Sequence, residues 1–112
     1  MGDALTRLAD AVEAGAATEA DFDAAWPHAM NGEHYYAKTA YNGSLDAAKA
    51  LHDAELPAMF WNMGHLDIPS LGYVCTVADG HFADSPSWRG YAMNPARAWL
   101  LAILRALAQV QP

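Results

Sequence analysis

Asn94-Pro95-Ala96-Arg97-Ala98-Trp99-Leu100-Leu101-Ala102-Ile103-Leu104-Arg105-Ala106-Leu107 is the stretch that decides the fold. Asn94 has the short polar side chain of an N-cap, and Pro95 suits the first helical position, where a missing N–H costs nothing. Behind them Ala96, Trp99, Leu100, Ile103, Leu104 and Leu107 recur at helical spacing, with Leu101 widening the stripe. An apolar surface that wide has to pack on a sheet or on another chain. It specifies an architecture and carries no chemistry of its own.

Strand signals lie just upstream. Met59-Phe60-Trp61-Asn62-Met63 is rich in large apolar residues, and Tyr73-Val74-Cys75-Thr76-Val77 has high β propensity. Gly64 to Gly72, with Pro69, reads as a loop. Asp79-Gly80 is a type I′ hairpin signal, which predicts a short third strand over His81–Asp84. Ser85-Pro86-Ser87-Trp88-Arg89-Gly90 then reads as a loop leading through Tyr91 to the last helix.

Helices fill the first half. Asp3 caps a helix over 3–14 with apolar Leu5, Leu8, Ala9 and Val12, and Gly15 ends it. Thr18, with Asp21 three positions on as an imperfect capping box, starts a second that runs to Trp26 before Pro27. Residues 28–43 suit extended and helical packing equally. Asn42-Gly43 is a turn, and Ser44 caps a helix over Leu45–Glu55 with a narrow face of Leu45, Ala48, Leu51 and Ala54 or Glu55. The fold class is therefore α+β: a small antiparallel sheet of about three strands covered by helices. Helices at both ends of the chain would cover both faces, an α/β/α sandwich. The whole reads as one compact unit, acidic N-terminal helices over residues 1–26 and the sandwich over 27–112. Three strands leave two edges, and pairing with a second subunit hides them, so a homo-oligomer, dimer or higher, is expected.

The chain has 112 residues and a net charge of −7. Residues 1–33 hold seven acids against Arg7 alone, a local charge of −6, while the remainder is close to neutral. No basic stripe exists to follow a phosphate backbone, so nucleic acid and anionic membranes are excluded as partners. Cys75 is the single cysteine, which rules out an internal disulfide. No signal peptide is visible, and the apolar run Ala98–Leu104 is far shorter than the ~20 residues a bilayer requires. A cytoplasmic protein is expected.

Reactive machinery is sparse. His65, Cys75 and His81 fall on or beside neighbouring predicted strands, with Asp67 and Asp79 in the connections, and three such ligands could hold zinc. Their spacing matches no compact zinc motif, and a core cysteine with loop histidines explains them as well. The serines sit at caps and turns, and there is no nucleophile elbow or Gly-rich phosphate loop. The residues therefore identify no catalytic group, no metal site and no cofactor. The segment Trp88-Arg89-Gly90-Tyr91 has more to offer. Aromatic faces stack on purines, arginine forks onto phosphate, and the following helix N-terminus favours anions. Arg97 would add a second fork, and Tyr35, Tyr36 and Trp61 further stacking surface. The plainer alternative is that Trp88 and Tyr91 plug the core's edge while Arg89 pairs with a surplus acid.

AYNGSLDAAKALHDAELPAMFWNM (40–63), the strand pair and NPARAWLLAILRAL (94–107) together resemble the phage ABA sandwich domain family, small proteins of phages, prophages and gene-transfer agents. The shared features are a capped helix like Ser44–Glu55, a Leu-Pro step before a tryptophan-bearing strand like Leu56–Trp61, and a closing Ala/Leu helix. LTRLADAVEAGAATEADFDAAW (5–26) is similar to the acidic leader helices of that family. This chain departs from it at Pro57-Ala58-Met59, where relatives carry Gly and Trp. The resemblance implies a phage accessory protein in the host cytoplasm, and it transfers no catalytic residue. Combined with the aromatic–arginine segment, it leads to the expectation of a non-enzymatic counter-defence protein. Such a protein would bind a small nucleotide-like ligand through Trp88, Arg89, Tyr91, Arg97, Tyr35 and Trp61. The alternatives are an acidic module that inhibits a host protein, through Asp10, Glu19 or Asp23, and a small metal-dependent enzyme.

Overall fold

The computed structural model describes residues 3–27, 32–66, 72–80 and 84–110. Among these residues the order is α1 (Asp3–Glu13), α2 (Glu19–Ala25), α3 (Glu33–Tyr41), α4 (Leu45–Glu55), β1 (Phe60–His65), β2 (Tyr73–Ala78), β3 (Ser87–Ala92) and α5 (Pro95–Val110). The protein is a small α+β fold with one antiparallel sheet in the order β1-β2-β3.

The caps form as their residues dictate. Asn94 Oδ1 accepts from the amides of Ala96 (2.9 Å) and Arg97 (3.2 Å), and Ser44 Oγ accepts from Ala47 N (3.1 Å). Thr18 and Asp21 complete a reciprocal capping box despite the short acid at the third position. Gly15 closes α1 with a φ of +71°, which a side chain would resist. Residues 33–41, open to either conformation in sequence, form α3.

The closing helix is the core of the molecule. From Ala96 to Leu107 only Arg97 and Arg105 keep appreciable exposure, and Leu100, Leu101, Ile103 and Leu104 are fully buried. A helix apolar on all sides needs neighbours on all sides. β2 and β3 lie on one side of α5; α1, α3 and α4 pack around the rest of it. Each of those four side chains contributes about 1.5–3 kcal/mol over an exposed position.

This packing corrects the α/β/α layering. The helices gather on the α5 side, so the layers run sheet, α5, outer helices, because α5 consumes the helical faces that would otherwise reach the far side. That far face presents Asn62, Ser87 and Arg89 to solvent beside the exposed ring of Phe60.

The third strand is a second correction. Ser87–Gly90, read as loop, lies inside β3. Trp88, Gly90 and Ala92 alternate toward the core, opposite Val77, Cys75 and Tyr73. A Cβ at Gly90 would collide with Ala98 O, Ala102 N (2.7 Å) and Leu101 Cβ (2.8 Å), so the glycine is what lets α5 seat on the strand. The strand expected over His81–Asp84 falls, for 81–83, outside the described residues, and Asp84 itself is in a turn.

Candidate functional site

The last turn of α4 and the start of β1 are bolted together by a histidine. His52 is 2% exposed, and two interactions hold its ring: Nε2 donates to Met59 O (3.0 Å), and Nδ1 accepts from Trp99 Nε1–H (3.3 Å). Only the neutral ring with its proton on Nε2 satisfies both. Trp99 in turn stacks on Trp61 of β1, centroids 4.0 Å apart and planes at 29°. Trp61 remains 45% exposed, so the ring offers its other side to solvent. Beside it a groove of about 520 Å³ crosses the beginning of β1, lined among others by Pro57, Phe60, Trp61, Asn62 and Thr76. Asp53 stands at its rim, bonded to Lys49 (2.7 Å). The groove therefore combines a braced aromatic platform with neutral hydrogen-bonding groups and a carboxylate. Among the described residues no arginine or lysine lines it.

The six residues expected to bind ligand are dispersed. Strand alternation sends Trp88 toward α1 and α5 and Arg89 to the opposite, open face. Tyr91 shares that open face with Arg89. Tyr91 and Arg97 do line one groove, about 450 Å³, between the end of α1 and the β3–α5 turn. Arg97, however, is engaged: its guanidinium lies 4.0 Å over the Tyr41 ring and Nε donates to Tyr41 O (3.0 Å). The α5 N-terminal amides that would attract an anion are taken by Asn94. Tyr35 is exposed on α3, edge-on to Tyr36. Trp61 alone of the six sits in the β1 groove.

His65 and Cys75 occupy neighbouring strands, with His65 edge-on to Tyr73 (4.9 Å). His28, Asp67, Ser70 and His81 lie outside the described residues. Among the described residues no three His, Cys, Asp or Glu side chains converge as a metal site. Burial pushes the Cys75 thiol up to about 12, so no thiolate is presented at neutral pH.

The acidic leader is largely engaged within the fold. Glu13 pairs with Arg105 (2.7 Å), while Glu19 (3.0 Å) and Asp23 (3.4 Å) both meet Lys38. The Thr18 backbone and hydroxyl hold Asp21 below the usual carboxylate range, and the Glu19 bond raises Lys38. Of the carboxylates expected to meet a host protein, Asp10 alone has no ion pair or hydrogen bond among the described residues.

Sequence reading missed two features. The buried face of α4 is Ala47, Ala48, Leu51 and His52, and Leu45 is exposed. The spacing 48, 51, 52 was there to be read, but Leu45 drew the stripe one step round. The second is a carboxyl pair. Glu55 accepts from Trp26 Nε1 (3.0 Å), and burial, with the Glu33 charge nearby, raises its pKa. Glu33 Oε2 and His34 Nδ1 are buried without a partner among the described residues.

No protein-family model, curated protein or solved structure matches this chain.

Proposed function

We propose that the protein is a non-catalytic binding protein whose β1 groove takes a small planar heterocycle of nucleobase size, stacked on Trp61. The observation that carries this reading is the Trp61–Trp99–His52 ladder. An aromatic ring left half in water would ordinarily wander among rotamers. This one is stacked on a second indole that a buried histidine holds in place, so the ordering cost of binding is already met. Asp53 at the rim favours a ligand N–H over a phosphate oxygen. The nucleotide-like ligand is thereby narrowed to its base. The resemblance to the phage ABA sandwich family supports a phage accessory role, in which sequestering a nucleotide-derived defence signal needs no catalytic group.

Titration calorimetry with adenosine, guanosine, cytidine and uridine tests this. At least one nucleoside binds, its monophosphate binds no tighter, and Trp61→Ala weakens it by about tenfold or more, the cost of one lost stacking contact. Binding that survives Trp61→Ala but fails with Arg97→Ala would move the site to the Tyr91–Arg97 groove and overturn the proposal. So would the absence of binding by all four.

A further inference from the structure

The two edges of the sheet are not equivalent. Leu66 N donates to Gly72 O (2.8 Å), which makes that pair a hydrogen-bonded one; counting back in twos along the register, Phe60, Asn62 and Gly64 bond to β2. Trp61, Met63 and His65 therefore point their N–H and C=O groups outward, and these have no hydrogen-bond partner among the described residues. The same count from Asp79 N to Pro86 O (2.9 Å) turns Ser87, Arg89 and Tyr91 outward on β3. That edge is guarded: Arg105 Nη1 donates to Arg89 O (2.7 Å) while Nη2 holds Glu13 (2.7 Å), and Arg89 adds a charge. The β1 edge, Phe60-Trp61-Asn62-Met63-Gly64-His65, has no Lys, Arg, Asp, Glu or Pro and no bulge, which are the usual defences of an exposed strand.

We infer that β1 pairs antiparallel with β1 of a second copy about a twofold axis at Met63, so that the partner's His65 stands beside Trp61 and borders its groove. The occupant follows from symmetry and charge. The outward set 61, 63, 65 is symmetric about its middle member, so two copies match group for group: Trp61 against the partner's His65, Met63 against the partner's Met63. The negative charge is concentrated in residues 1–33, and β1 is a strand free of formal charge, so charge does not oppose two copies meeting there. Pairing joins two three-stranded sheets into one of six and covers part of the exposed Trp61. The placement of the partner's His65 at a ligand rests on the binding reading above; the strand pairing does not.

The test is a charge swap at the axis, read as mass by analytical ultracentrifugation. The wild type sediments at twice the 12.0 kDa chain mass. Met63→Glu and Met63→Lys each sediment as one chain, because like charges face each other, and an equimolar mixture returns to two chains. If either variant loses its circular dichroism signature, His65→Pro replaces it. Proline there removes an outward N–H and no β1–β2 bond, and it yields a folded single chain. A wild type that stays a single chain at all concentrations overturns the pairing, as does a dimer that survives Met63→Glu, Met63→Lys or His65→Pro. Adenosine titration of the His65→Pro protein separates the second clause: affinity about tenfold weaker than wild type supports the shared groove. Equal affinity overturns the shared groove and leaves the strand pairing standing. No adenosine binding by a wild-type dimer overturns adenosine as the ligand while leaving the pairing intact.

Discussion

β1 and β3 flank the same central strand, have the same length and carry one glycine each, yet the chain treats them in opposite ways. β3 is clamped: α5 sits against Gly90, Arg105 ties down an outward carbonyl, and Trp88 tucks toward α1. β1 is anchored through an aromatic ladder at one end and a partly buried Met63 in its middle, with nearly half of Trp61 showing. Edge strands invite unwanted pairing, so most are defended. Among the described residues one edge is defended and the other is uncovered and uncharged, and the proposed pairing uses the uncovered one.

The sharpest way to break the comparison is to make the same substitution on both strands. Gly90→Ala drives a methyl into the α5 backbone and should cost about 3 kcal/mol in urea melts. Gly64→Ala meets only Val74 Cγ1 at 3.4 Å and should change stability by less than about 0.5 kcal/mol. Equal costs would mean that β3 is not clamped. The β1 anchor is tested next by His52→Leu. It strands the Trp99 indole N–H and Met59 O, and should cost about 2 kcal/mol and weaken the near-ultraviolet tryptophan signal. An unchanged spectrum would show that the Trp61–Trp99 stack does not depend on the histidine. Arg105→Met keeps the side-chain stem but frees Arg89 O and Glu13, and should cost about 1 kcal/mol. The same variant should raise the tendency to aggregate, which light scattering would detect.

The smallest effect concerns the helix end that leads into β1. Burial raises Glu55 above its ordinary value of 4.5, so the folded state favours the protonated carboxyl. Its support for the fold is complete below pH 4.5 and is lost as pH rises through the raised value. Glu55→Gln keeps an acceptor for Trp26 and should flatten that decline, by less than about 1 kcal/mol because the group is partly in water. The quantity to read is the difference between mutant and wild-type melts across pH 4–7. A difference that does not vary with pH would contradict the burial argument.

What the sequence revealed was local. Asn94-Pro95, Ser44 and Thr18–Asp21 state their helix starts within four residues, and the wide apolar stripe of 96–107 told that this helix must pack, though not that the other helices would surround it. The edge that matters was obscured by composition. Ser87-Trp88-Arg89-Gly90 has the serine and glycine of a loop, although Trp88, Gly90 and Ala92 keep strand alternation, with glycine where a helix must come close. The proposed binding surface was harder still. Trp61 was named for its aromatic face, but its brace comes from Trp99, 38 positions on, and His52, 9 positions back. No short motif records a contact between elements so far apart. Arg97 misled for the same reason: a free arginine and one lying over Tyr41 are identical in sequence.

The direct test of β1 as the working edge is amide hydrogen exchange followed by NMR at rising protein concentration. The amides of Trp61, Met63 and His65 should become protected as concentration increases and lose protection on dilution, while those of Ser87, Arg89 and Tyr91 exchange at a constant rate. Exchange at β1 that ignores concentration, or protection that grows at β3 instead, would contradict the account.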